Sequence, residues 1–138
     1  IMASQLKVDT LTGVTTAGSI LVTGEGNSTT TNLQQGLLKV WHNYNGTGTV
    51  ATNDSFNVGS ITDNASGDYS TTFSNNMGNA NYLHLHHAIE ASVYTGYIAN
   101  SYSKTTSAIR MDTDADPGGG FTNDDFVHNN LGVSGDLA

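Results

Sequence analysis

The stretch from Val40 to Tyr82, VWHNYNGTGTVATNDSFNVGSITDNASGDYSTTFSNNMGNANY, constrains the fold most. Its apolar and aromatic residues recur on a two-residue beat between clusters of Asn, Gly and Asp, the pattern of half-buried strands joined by turns. Tyr44, the pair Asn45-Gly46 and Val50 predict a first tight hairpin, because Asn-Gly accepts the positive φ of a two-residue turn. Phe56, Val58 and Ile61 lead to a second turn cluster at 63–67, and Tyr69, Thr71 and Phe73 share one face of a further strand. This reads as an antiparallel β-meander, with Trp41, Tyr44, Phe56, Tyr69 and Phe73 as core or subunit-interface residues.

Composition agrees with an all-β protein. Only 12% of the 138 residues are charged, and proline occurs once. Thr suits a half-buried strand, while Asn, Gly and Ser suit turns. A net charge of −8, with Lys7, Lys39, Lys104 and Arg110 scattered, argues against nucleic acid as a partner. The chain has no cysteine, so neither disulfides nor thiolate chemistry are available. No apolar run approaches the roughly 20 residues needed to cross a bilayer, and residues 1–24 lack a charged start and an apolar core, so neither membrane insertion nor a signal peptide is expected.

Before the meander, Leu6-Val8-Leu11 and Ile20-Leu21-Val22 are two short apolar runs that would be marginal strands without a partner. Residues 24–32, GEGNSTTTN, have the composition of a flexible linker. Asn32 can cap a short helix with Leu33, Leu37 and Trp41 on one stripe. The competing reading puts Leu38, Val40, His42 and Tyr44 on one face of a strand, and one helical turn followed by that strand satisfies both. Residues 82–102 favour two strands broken near Thr95-Gly96, and 105–111 another. The acidic segment 112–120, DTDADPGGG, is expected to be irregular, since three glycines follow a proline. Phe126-Val127-His128 and Leu131-Gly132-Val133 close the chain as a hairpin or edge strand.

The segments LQQGLLKVWHNYNGTGTVATNDSFNVGSITDNASGDYSTTF and NANY, with LKVDTLTGVTTAGSI, TGEGNSTTTNLQQGL and the final GDLA, resemble tail-fibre-like virion proteins of phages of marine and cyanobacterial hosts. That resemblance implies a homotrimer with an antiparallel, jelly-roll-like β-sandwich head at 33–138. Residues 1–32 would be a stalk attaching to another virion protein. It further implies a non-enzymatic role on the virion, either host attachment through a surface glycan or receptor, or decoration of the capsid as a cement or fibre protein.

His84 and His86 would lie on one face of a strand, roughly 6.5–7 Å apart. On a three-fold axis six such imidazoles could ligate a transition metal, resembling HxH sites of some phage fibre tips; surface or interface histidines are the plainer reading. Asp112, Asp114 and Asp116 supply alternate oxygen ligands suited to Ca²⁺, but Pro117 stands where a calcium loop needs glycine, and a solvated acidic turn is the plainer reading. Tyr94, Tyr97 and Tyr102 could stack on sugar rings or fill core and interface. No catalytic constellation stands out: nothing resembles a nucleophile elbow, and Glu25 and Glu90 are the only glutamates.

Overall fold

The computed structural model describes residues 6–13, 20–24, 29–89, 97–115 and 120–138. The chain divides into two compact units, 1–36 and 37–138. In the first, β1 (Leu21–Thr23) pairs antiparallel with β2 (Thr30–Asn32), and α1 (Leu33–Gly36) follows. Asn32 caps that single helical turn, its side-chain oxygen accepting from the Gln35 amide at 3.1 Å. The linker expected at 24–32 therefore ends in a paired strand. Leu6, Val8, Leu11, Leu21 and Val22 all remain more than half exposed.

The second unit holds β3 (Leu38–Asn45), β4 (Ala51–Phe56), β5 (Val58–Ala65), β6 (Asp68–Phe73), β7 (Leu83–Ile89), β8 (Tyr97–Lys104), β9 (Ala108–Ala115), β10 (Thr122–Asn123) and β11 (His128–Ser134). One antiparallel sheet has the order β4-β3-β11-β7, and the other runs β5-β6-β9-β8. The two residues of β10 pair with the end of β9 where β6 has stopped. The fold is thus all-β and antiparallel, and among the described residues no helix is long and apolar enough to cross a membrane.

Both sheets feed one core. Val40, Tyr44, Leu131 and Val133 come from the first, and Tyr69, Phe73, Ile109 and Met111 from the second. The rings of Tyr44 and Tyr69 meet edge to face with centroids 5.3 Å apart. His42 bridges the sheets, with Nδ1 3.0 Å from Thr71 Oγ1 and Nε2 2.9 Å from Thr52 Oγ1.

The stretch 40–82 departs from a single meander. Strands β4 and β5 lie in different sheets, and Asn57 makes the crossing with φ of 57°, one of few side chains that tolerate that region. Its amide nitrogen donates to the Lys39 and Asn75 carbonyls, and its oxygen accepts from the Asn75 amide at 2.6 Å. Asn45-Gly46 does not form a two-residue turn. The Asn45 side chain folds over Thr47, and the connection runs five residues to Ala51. The tight link is Ser66-Gly67, where Ala65 pairs with Asp68 and Gly67 has φ of 65°.

Two further expectations are corrected. Asp112 to Ala115 continue β9 as ordered strand, because β6, β8 and β10 supply its hydrogen-bond partners. The closing strand β11 is central, held between β3 and β7.

The Tyr44 hydroxyl is buried and, among the described residues, has no hydrogen-bond partner. Burial also pushes its pKa well up. Tyr44→Phe removes a desolvated, unpaired hydroxyl and leaves the ring packing, so a gain of about 1 kcal/mol in stability is expected. Urea unfolding of both proteins measures it, and a loss of stability would show that the hydroxyl is bonded.

Candidate functional site

Alternation along β3 turns Val40, His42 and Tyr44 inward and Trp41 and Asn43 outward. Register aligns these outward residues across the sheet. Phe56, Trp41, Gly132 and Leu85 form one row, and Asp54, Asn43, Asn130 and His87 the next. Glycine at 132 leaves a gap between Trp41 and Leu85, because a strand position without a side chain exposes its backbone floor. The result is a groove of about 600 Å³ along β11, with Leu38 at its apolar end and Asn43, Asn130 and His87 at its polar end. None of its described lining residues is Asp, Glu, Lys or Arg.

The polar end is ordered by an amide relay. Asn53 Nδ2 donates to Asn43 Oδ1 at 2.8 Å, and Asn43 Nδ2 donates to Asn130 Oδ1 at 2.7 Å. Among the described residues the Asn130 Nδ2 group has no acceptor, so the relay ends in a donor at the groove. Trp41, 36% exposed, keeps part of its indole open.

Of the residues singled out in the sequence, His84 and His86 stand on β7, which borders this groove, but face the opposite side of the sheet; the other described ones lie elsewhere. His84 and His86 share one face of β7, as expected, but it is the inward face, opposite Val133 and Leu131. Burial lowers the His84 pKa, with Lys104 adding to the effect. Burial lowers His86 to about 4 against an opposing pull from the Asn100 backbone, and among the described residues neither of its ring nitrogens has a well-formed hydrogen bond.

Asp112 and Asp114 project from the outer face of β9. Burial first, then Asp114 and Asp68, raise the Asp112 pKa. Asp68 pairs across the strand with Asp112, and both of its carboxylate oxygens accept from Arg110, whose hydrogen bond is the main cause of its lowered pKa. Asp116 lies outside the described residues. Among those described, no three His, Asp or Glu side chains are placed to hold a metal ion. Tyr97 and Tyr102 belong to β8, and Tyr94 lies outside the described residues.

The groove escaped the sequence reading, although one signal was present: the residues of VWHNYN that alternate with the buried set include an indole and two amides. Comparison with models of protein families, with curated proteins and with solved structures finds no match.

Proposed function

We propose that this chain is a non-enzymatic structural protein of a phage particle, a tail-fibre-like homotrimer whose all-β head is displayed outward as a binding surface. A four-stranded and a five-stranded sheet around one core favour a sandwich head. With four antiparallel pairings of consecutive strands, β3–β4, β5–β6, β8–β9 and β9–β10, its path is more local than the paired Greek keys of a jelly roll.

The observation that carries the reading is the first unit, where Leu6, exposed at 80%, and Val8, Leu11, Leu21 and Val22 project into solvent from a segment with few strand pairings of its own. Apolar exposure on this scale in so short a segment favours association with other copies and with a neighbouring particle protein. Light scattering is expected to give three times the 14.4 kDa chain mass. Serine at Leu6, Val8 and Leu11 together should shift the protein toward monomer without lowering the unfolding temperature of the head. A wild-type mass of one chain would sink the trimer. Electron microscopy of the particle then tests location: density at the tail supports the fibre, and density on the capsid shell replaces it with a decoration protein.

A further inference from the structure

We propose that the Trp41–Gly132–Leu85 groove is a saccharide subsite that takes a neutral pyranose. The inference rests on reading the head as a binding surface, and it depends on neither the trimer nor the location on the particle.

Three properties of the groove select this ligand class. Its volume of about 600 Å³ matches a small ligand of one or two rings. Its wall is an indole facing a leucine across a bare glycine floor, leaving a slot into which a flat, C–H-rich ring face fits against Trp41. Its far end offers Asn43, Asn130 and His87, groups that exchange hydrogen bonds with hydroxyls and carry donors and acceptors close together.

Competing ligands fare worse on the same groove. A purely aliphatic ligand would cover the Asn130 donor without pairing it, at the cost of desolvating a polar group. An anionic ligand would meet no Lys or Arg in the lining and a chain of net charge −8. A cationic ligand would find no carboxylate in the lining. A ring with one apolar face and an uncharged hydroxyl rim satisfies both ends at once.

Trp41 is the only tryptophan of the chain, so its emission reports directly on the groove. The test titrates the purified full chain with neutral mono- and disaccharides of the glucose, galactose, mannose and N-acetylglucosamine series. Sialyllactose and oligogalacturonate serve as acidic probes, and calorimetry runs in parallel. A saturable emission change with at least one neutral sugar is expected.

Gly132→Val is the decisive variant. A Cβ at 132 meets only Leu38 Cδ2, at 3.5 Å, so the chain accepts it, and valine favours a strand. It should lower sugar affinity by about ten-fold or more while the melting temperature holds or rises. Trp41→Ala, followed by calorimetry, should cost a similar factor.

The proposal is overturned if no neutral sugar binds at millimolar concentration, if Gly132→Val binds as the parent does, or if the acidic probes bind more tightly. It also falls if Trp41 emission without sugar depends on protein concentration, since a second copy would then cover the groove. Absence of the protein from phage particles would sink the display reading and leave a measured sugar affinity standing. Failure to bind sugar leaves the particle assignment untouched.

Discussion

Acidification from pH 7 to 4.5 is expected to destabilise the head by several kcal/mol, chiefly through the buried His42 and the half-buried His86. Burial lowers His42 from 6.5 to about 4, and His86 falls to about 4 for the same principal reason. In the unfolded chain both take up a proton near pH 6.5, whereas in the fold they resist it. The unfolded state therefore binds more protons between about pH 6.5 and 4, and stability falls as pH drops through that window. Fully present above the window, the contribution is on the order of 3 kcal/mol for His42, which is 1% exposed, and less for His86, which solvent partly reaches.

Neighbouring carboxylates modify the curve at its acid end. Asp68, held down by Arg110, loses its contribution as pH falls through its depressed folded value, and so steepens the loss. Asp112, pushed up by burial and by Asp114 and Asp68, is relieved by protonation and offsets part of it. Self-repulsion also fades as the isoelectric value near 4.6 is approached. Urea midpoints from pH 7 to 4.5 measure the slope, and His42→Gln should flatten it. A midpoint constant over that range would mean that neither imidazole is held neutral by the fold.

Gly67→Ala should be strongly damaging for a single methyl, costing about 3–5 kcal/mol and roughly 10–20 °C in melting temperature. The φ of 65° accounts for only about 1–2 kcal/mol of this. The remainder comes from space, because a Cβ there would lie 2.5 Å from the Thr113 carbonyl oxygen and 2.6 Å from the Asp124 amide nitrogen. Those neighbours are fixed: Thr113 N donates to Gly67 O at 2.8 Å, and Gly67 N donates to Asp125 Oδ1 at 2.6 Å. Asp125 also accepts from the Tyr69 hydroxyl at 2.5 Å, so displacing the turn disturbs the core through Tyr69.

Gly48→Ala is the internal control. Its φ is 67°, yet nothing lies within 4 Å of the added methyl, and it should cost only about 1–2 kcal/mol. Thermal unfolding of the pair separates strain from collision. Equal losses would refute the steric account.

Where local chemistry decides structure, the sequence is a good guide. Asn32 caps the turn it was expected to cap, and Tyr44, Tyr69 and Phe73 are buried by strand alternation. Alternation does not reveal which sheet a strand joins. The crossing at Asn57 depends on a side chain reaching carbonyls at Lys39 and Asn75, and no local pattern encodes that. Asp112 to Ala115 look irregular because they lead into a proline followed by three glycines, yet pairing on both sides carries β9 as far as Ala115. The groove is least legible of all. Trp41, Gly132 and Leu85 come together only through long-range register, and each alone resembles an ordinary strand residue.

The placing of β11 between β3 and β7 bears on how the head is made. The first and last long strands of the head are partners, joined for instance by the hydrogen bond from Asn43 Nδ2 to Asn130 Oδ1 across 87 residues. Contacts of such separation slow folding, since the entropy of closing the loop is spent before the pairing rewards it. During synthesis β3 must wait, with Val40 and Tyr44 lacking the cover of Leu131 and Val133, until β11 leaves the ribosome. The groove floor is laid down by that last strand, so a partly synthesised chain offers no ligand surface. Competence to bind thereby becomes a mark of a finished head.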